Sequence, residues 1–378
     1  MTTKIVDADS HILEPPDLWV RYLEPELRDR AMCIKTDAQG LEYLEVDGKP
    51  ASGVRGGMLS NIAGSGRTDL EHFLTPGAVP FEEARRMALP AADPDERVKW
   101  LDSEGSDMTF LYPSIGLDWP QDCRDPILAA AYTRAYNNWL LDFCSGHSDR
   151  LLPIAHVSLL DVEEGVKELT RAESRGMKGA YPPVVPFNGI PYGEPHYDRF
   201  WGAAEDLGIP ISLHVTGNVH GVGGDLYPRS YTAPFWWFLV TDMGDVLIAF
   251  TSLFQGGLFE RFPELKIVVV EAGSGWLPFW LERMDGLFDK VGFTTPLTLR
   301  PSEYFKRQCW IVVDPDETTA AYTINFVGAD RFLWGSDYPH TEGEAGALDE
   351  LKENLESLPQ DTQARVLGDN AAELYRLA

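Results

Sequence analysis

Residues 4–11 read KIVDADSH, a short apolar run that ends in an acidic residue, a serine and a histidine. In three later runs, an apolar, strand-like segment likewise leads to an acidic residue or a histidine. They are ISLHVTG at 211–217, IVVVEAG at 267–273 and FLWGSD at 332–337. A parallel barrel gathers the C-terminal ends of its strands around one mouth, so residues far apart in the chain can meet there. The pattern therefore predicts one site built from strand ends.

Eight strand-like runs occur along the 378 residues, and segments with helical periodicity separate most of them. The predicted strands cover residues 4–9, 108–114, 151–159, 179–185, 210–216, 265–271, 308–314 and 331–337. Strands that alternate with helices are typical of parallel βαβ units. Eight such units in a chain of this length predict a single α/β domain over residues 1–378, a (β/α)₈ TIM barrel.

The connection after the first predicted strand is too long for a simple crossover. It spans about residues 14–92 and contains two alternating runs, at 32–35 and 41–46, that predict a hairpin. An insertion after a barrel strand lies at the catalytic face. We expect an inserted subdomain that either walls the site or serves only as a rigid structural flap.

Composition excludes several classes of protein. The net charge is −27, from 59 acidic and 32 basic residues, and this field repels nucleic acid and acidic membrane surfaces. No apolar stretch reaches the length of a membrane span. The four cysteines form no C-x-x-C pair, which fits a reducing compartment. We expect a soluble, cytoplasmic protein that acts on a small molecule.

Residues Asp7, Asp9 and His11 are spaced by two, so a regular strand would present them on one face, with Asp7 deeper in the barrel. Two further strands end in Glu271 and Asp337. A buried carboxylate is costly unless a positive charge offsets it, and a metal ion supplies such a charge. With His214 at the end of the fifth predicted strand, these residues predict a metal site.

The order of these motifs resembles the amidohydrolase superfamily. The motifs are Asp-x-His after strand one, His after strand five, an acidic or His residue after strand six (here Glu271), and Gly-Ser-Asp-Tyr-Pro-His after strand eight. The segments FPELK at 262–266, WLP at 276–278 and LERMD at 281–285 strengthen the likeness. It is similar to the branch that includes aminocarboxymuconate semialdehyde decarboxylase and the hydroxybenzoate decarboxylases. The resemblance implies that His11, His214 and Asp337 bind a divalent metal, and it implies a homo-oligomer, by default a homodimer that associates through barrel helices.

The chain departs from this family pattern at two positions. Asp9 replaces a usual histidine, and Glu271 stands where the decarboxylases have a catalytic histidine. Carboxylates favour manganese or iron over zinc. These carboxylates, together with Glu14, could hold two metal ions. Glu14 could instead face water in the first loop. The predicted cofactor is therefore a divalent ion, Zn, Mn or Fe, in one or two copies.

Several residues around this site are assigned further roles. Asp337 and His340 are predicted to move a proton, although His340 could also be a further ligand or a support for one. The predicted substrate contacts are His220, Trp236 and Trp237; the tryptophans could instead belong to a buried helix against a second subunit.

Three functions fit these residues. The first is a metal-dependent hydrolase or decarboxylase of a small aromatic or apolar carboxylic substrate. The alternative is a non-haem (di-)iron monooxygenase on the same fold, for which the many carboxylates argue. A binding module without catalysis is disfavoured, because so many ionisable residues at strand ends would be destabilising without a role.

Overall fold

Eight parallel strands form a nearly closed barrel in which neighbours along the chain pair with each other. The computed structural model describes residues 4–52, 56–186, 188–216, 239–240, 243–341, 343 and 346–377. Its strands are β1 (Val6–Ile12), β2 (Cys33–Thr36), β3 (Glu42–Val46), β4 (Lys49–Pro50), β5 (Met108–Pro113), β6 (Leu151–His156), β7 (Gly179–Tyr181), β8 (Ile211–His214), β9 (Ile267–Val270), β10 (Cys309–Val313) and β11 (Phe332–Trp334). The barrel consists of β1 and β5 to β11. The predicted TIM barrel is confirmed.

Helices surround this barrel. The α-helices of the described residues are Leu18–Tyr22, Leu70–Phe73, Phe81–Met87, Leu89–Ala92, Pro94–Glu104, Ile115–Asp118, Pro126–Cys144, Val162–Ser174, Asp198–Leu207, Met243–Gln255, Leu258–Arg261, Leu277–Val291, Pro301–Gln308, Ala320–Val327, Ala347–Leu355, Gln360–Ala364 and Asn370–Leu374. Asp93, Asp125 and Asp161 each cap a helix by accepting two open backbone amides. Within the described part of the chain, no helix combines the length and the apolar character needed to cross a membrane.

The two ends of the sheet meet at the C-terminal edge of the barrel. The backbone N–H of Asp337 donates to the carbonyl of Asp9 at 3.0 Å, and that of His11 donates to the carbonyl of Tyr338 at 2.7 Å. These two bonds join the first strand to the segment after the last strand. The two bonded segments are both ones in which the sequence predicts metal ligands.

A register shift in β1 separates Asp7 from Asp9. Asp7 pairs with Thr109 of β5, but the next pair is Ser10 with Leu111, so three residues of β1 oppose two of β5. Such a bulge re-aims side chains. The expectation of one shared face is therefore wrong for Asp7, whereas Asp9 and His11 do lie together at the mouth. The carboxylate of Asp7 instead accepts hydrogen bonds from Ser336 and Thr109.

The connection between β1 and β5 contains the predicted hairpin, in which β2 pairs antiparallel with β3. Its apolar residues Phe73 and Val79 belong to one buried cluster with Leu13 and Tyr338. The backbone N–H of Ser65 also donates to the carbonyl of Pro339 at 3.0 Å. The connection thus packs against the segment after β11. Its extent as a subdomain over residues 14–92 stays a prediction.

Candidate metal centre

Side chains from four strand ends converge at the mouth of the barrel. Asp9 and His11 come from β1, His214 ends β8, Glu271 follows β9 and Asp337 follows β11. His11 Nε2 lies 3.5 Å from Asp9 Oδ1, 3.4 Å from Asp337 Oδ1 and 3.8 Å from Glu271 Oε2. His214 Nε2 lies 3.4 Å from Asp9 Oδ1 and 3.2 Å from Glu271 Oε2. We call these five residues the donor cluster.

Backbone carbonyls fix the orientation of both imidazoles. His11 Nδ1 lies 2.7 Å from the carbonyl oxygen of Pro113, and His214 Nδ1 lies 2.8 Å from that of Val215. Since a carbonyl oxygen only accepts, each ring donates its Nδ1–H group to that carbonyl and turns Nε2 toward the carboxylates. Burial lowers the pKa of His11 to about 4, so its ring is neutral at pH 7. Neutral imidazoles are ready metal ligands.

The carboxylates of the cluster differ in their pKa values. Burial opposes the ionisation of Asp9, but positive charge on the facing imidazoles of His214 and His11 would outweigh it and hold the pKa of Asp9 below its usual range. A bound cation supplies this positive charge when the rings are neutral. Burial, together with the charge of Asp9, raises the pKa of Asp337 to about 7. Asp337 can therefore hold or release a proton near neutral pH.

Several polar atoms of Asp9, His11, His214 and Asp337 lack hydrogen-bond partners among the described residues. Asp9 Oδ1, His11 Nε2, His214 Nε2 and Asp337 Oδ2 are all buried and accept or donate no hydrogen bond among the described residues. Buried polar atoms in this state are destabilising, and a bound cation relieves the cost.

Two overlapping sets of residues offer donor atoms that lie within 4.8 Å of one another. One set is Asp9, His11, His214 and Glu271, and the other is His11, Glu271, Asp337 and His340. A divalent metal ion therefore fits the cluster. Its mixed oxygen and nitrogen donors suit manganese, iron or zinc.

Unusual backbone geometry turns two carboxylates inward. Glu271 and Asp337 have φ angles of 52° and 50°, in the left-handed region that residues other than glycine rarely adopt. Gly335 makes room nearby, because a Cβ atom at this position would lie 2.3 Å from the Cβ of Asp9. Such costly conformations are concentrated at functional sites.

His340 lies beside the donor cluster. Its Nδ1 is 2.9 Å from Asp337 Oδ1, and its ring stacks on that of His11 with 3.8 Å between the ring centroids. Burial lowers the pKa of His340 to about 3. This position is compatible with each of its three predicted roles.

Glu14 is placed differently from the other predicted ligands. Its buried carboxylate accepts hydrogen bonds from the backbone N–H groups of Ser114, Ile115 and Gly116, at 3.3, 3.0 and 3.0 Å. It belongs to neither set of converging donors. The structure therefore does not bring Glu14 together with the cluster, because three amides already occupy its oxygens.

The predicted substrate contacts His220, Trp236 and Trp237 lie outside the described residues. Sequence reasoning missed Asp314, which follows β10, and Glu317 beside it. Burial and the charges of Glu317 and Asp9 raise the pKa of Asp314 well above its ordinary value. The signal for Asp314 was available, because the predicted strand at 308–314 ends in this acidic residue.

The amidohydrolase family model matches residues 34–377 of the chain. The chain belongs to this family. Gamma-resorcylate decarboxylase of Rhizobium sp. is 27% identical to this amidohydrolase over 327 residues, covering 81% of this chain and 97% of that protein. The prediction of an enzyme from this superfamily is confirmed.

Solved structures of amidohydrolases share the fold. An amidohydrolase of Mycobacterium avium subsp. paratuberculosis superposes with a TM-score of 0.81 at 21% identity, covering 99% of this chain and 100% of that chain. A dihydroxybenzoic acid decarboxylase of Polaromonas sp. JS666, with bound manganese and the inhibitor 2-nitroresorcinol, superposes with a TM-score of 0.69 at 19% identity, covering 100% and 98%. None of these comparisons supports the iron monooxygenase alternative.

Proposed function

We propose that this amidohydrolase removes the carboxyl group of a small aromatic acid, with one divalent metal ion held by the donor cluster. The observation that carries the proposal is the group of buried, unpartnered oxygens and imidazole nitrogens at the barrel mouth. The decarboxylase relative, gamma-resorcylate decarboxylase, supports this reaction over hydrolysis. Asp9, His11, His214 and Glu271 are the ligands we assign, with Asp337 beside them.

A metal ion at this position would act as a Lewis acid toward the oxygens of the acid. The chain's own residues handle the proton. When the bond between the ring carbon and the carboxyl group breaks, its electron pair stays on the ring carbon, which must take up a proton. We assign Asp337, beside the ligands, to carry this proton on a carboxyl oxygen and deliver it. His340 Nδ1, 2.9 Å from Asp337 Oδ1, orients that carboxyl group.

The metal and the substrate contacts are also proposals. We favour manganese, because two of the four ligands we assign, Asp9 and Glu271, are carboxylates, and carboxylate oxygens suit manganese better than they suit zinc. Zinc remains the second choice, and a second ion would need His340 as a ligand. Trp236 and Trp237, together with His220, are proposed to contact the aromatic ring. A homo-oligomer and a cytoplasmic location are expected on sequence grounds only.

The experiment is a decarboxylation assay on metal-reconstituted protein. The enzyme is loaded with manganese or with zinc and incubated with a panel of hydroxybenzoic acids, and the release of CO₂ is measured. His214→Ala should abolish the release, and His72→Ala, which removes an exposed imidazole, should not. Hydrolysis of ester or amide probes without CO₂ release from any acid would overturn the proposed reaction.

A further inference from the structure

A buried arginine contacts the backbone of the donor cluster. Arg97 belongs to the helix Pro94–Glu104, which leads into β5, and it is 0% exposed. Each of its three guanidinium nitrogens donates a hydrogen bond to an uncharged oxygen, and among the described residues it pairs with no carboxylate. A buried charge is costly, and a carboxylate is its usual partner. The position of Arg97 therefore needs an explanation other than an ion pair.

The three acceptors of Arg97 come from two segments of the chain. Nη1 donates to Ser10 Oγ at 2.8 Å, and Nη2 donates to the backbone carbonyl of His11. Nε donates at 2.9 Å to the carbonyl of Pro90, near the end of the long connection between β1 and β5. The guanidinium therefore joins the end of β1 to this connection.

A third segment, the one that follows β11, packs against the same guanidinium. The Arg97 guanidinium carbon lies 4.9 Å from the centre of the Tyr338 ring, a distance at which a cation and an aromatic ring attract each other. Trp100, on the helix of Arg97, stacks on the Tyr338 ring with 4.2 Å between the centroids. The Tyr338 carbonyl accepts from the backbone N–H of His11 at 2.7 Å and from Ser10 Oγ at 3.0 Å. Residues 10, 11 and 338 therefore form one bonded unit around Arg97.

This unit fixes two members of the donor cluster. The backbone of His11 is held at its N–H group by Tyr338 and at its carbonyl by Arg97. Asp337 directly precedes Tyr338, and its Oδ1 lies 3.4 Å from His11 Nε2. The residues of a working site must be held within about 0.5 Å of their productive positions. A guanidinium suits this task, because it is a planar fork whose donors point in fixed directions, which the ammonium group of lysine is not.

We propose that Arg97 is a positioning residue of the metal centre, whose guanidinium fork holds the end of β1 against the segment after β11 and so sets the spacing of His11 and Asp337. The inference rests on the metal site of the proposed function and does not depend on which reaction the enzyme catalyses. An arginine with only a structural role would contribute to the free energy of unfolding, but its replacement would leave the metal affinity of the folded protein unchanged. The two roles therefore differ in a quantity that can be measured.

The test is isothermal titration of the full chain with manganese. Arg97→Lys keeps the positive charge, so a change in metal affinity reports the loss of the fork and not a change in electrostatic repulsion. We expect this variant to bind manganese ~10–100-fold more weakly, the loss typical of residues that support a ligand. Arg261→Lys is the matched control, since Arg261 also donates to two backbone carbonyls, those of Gly193 and Gly256, which lie outside the donor cluster. It should bind manganese as the unmodified protein does.

Spectroscopy and a smaller substitution supply two further readouts. At saturating manganese, the electron paramagnetic resonance spectrum of Arg97→Lys should differ from that of the unmodified protein, because the ligand geometry has changed. Ser10→Ala removes one acceptor of the fork and decides the question if Arg97→Lys fails to fold. It should also weaken manganese binding, by less than Arg97→Lys does.

The possible results separate this inference from the proposed function. Equal manganese affinities in folded Arg97→Lys and Arg261→Lys would overturn the inference, as would an unchanged affinity in Ser10→Ala if Arg97→Lys does not fold. An unmodified protein that binds no manganese would overturn the metal centre and the inference together. If Arg97→Lys weakens binding as expected but no acid releases CO₂, the proposed reaction fails and the inference stands.

Discussion

Buried carboxylates occur in two kinds of surroundings at the barrel mouth. Asp9 and Asp337 have buried oxygens without hydrogen-bond partners that face imidazoles. Glu14 and Glu317 are saturated instead, since Glu14 accepts three backbone amides and Glu317 accepts two amides and the Ser274 hydroxyl. Burial alone therefore does not identify a metal ligand. The unpartnered oxygens do, because only they still require a cation.

The largest expected effect comes from the imidazole that faces Asp9 and Glu271. His214→Ala removes a donor atom from the cluster, so metal affinity should fall by more than the ~10–100-fold typical of residues that only support a ligand. Elemental analysis after dialysis against a weak chelator measures this loss. The far-UV circular dichroism spectrum should stay unchanged, and metal content equal to that of His72→Ala would contradict the assignment.

A change at Glu271 distinguishes one ion from two. The side chain belongs to both sets of converging donors. In a site with one ion, Glu271→Ala leaves three ligands of the first set, so the protein should still bind one ion per chain, with an affinity that falls by more than the ~10–100-fold typical of residues that only support a ligand. Isothermal titration with manganese measures both stoichiometry and affinity. A drop to half the metal content of the unmodified protein would show a two-ion site.

The saturated carboxylate of Glu14 should behave in the opposite way. Glu14→Gln should leave metal stoichiometry unchanged, because this side chain supports Ser114 and does not reach the cluster. Loss of the metal in this variant would erase the distinction between the two kinds of carboxylate.

Glu14 should also make the free energy of unfolding depend on pH. Burial raises its pKa from 4.5 to about 7, so the folded state binds this proton more tightly than the unfolded state does. The contribution to stability is complete below about pH 4.5 and is lost as the pH rises to about 7. The glutamine in Glu14→Gln cannot ionise, so the stability of this variant should lack the pH-dependent contribution. Urea unfolding at several pH values measures it, with Glu83→Gln, a change at an exposed position, as the control.

The smallest effect is expected at Glu317. Its carboxylate accepts hydrogen bonds from the backbone and hydroxyl of Ser274 and from the backbone of Asp314, and neither residue belongs to the donor cluster. Glu317→Gln should lower the melting temperature slightly and leave the metal content unchanged. A loss of metal as large as that of His214→Ala would mean that the carboxylates around β10 belong to the centre.

Much of the barrel could be predicted from local sequence. Apolar runs and helical periodicity are local properties, and the position of His214, Glu271 and Asp337 at strand ends follows from them. The displacement of Asp7 could not be predicted, because the register shift depends on how β1 pairs with β5. The placement of Glu14 depends on amides about a hundred positions later in the chain. Asp314 was overlooked, although its strand ended in the same kind of residue as the others.

The most direct test of the central claim is the metal content of the unmodified enzyme. The protein is purified without added metal, then reconstituted with manganese, dialysed and measured by elemental analysis as metal per chain. We expect one divalent ion per chain, lost in His214→Ala and retained in Glu14→Gln. No bound ion after reconstitution, in a protein that is folded by circular dichroism, would contradict the assignment of the donor cluster as a metal centre.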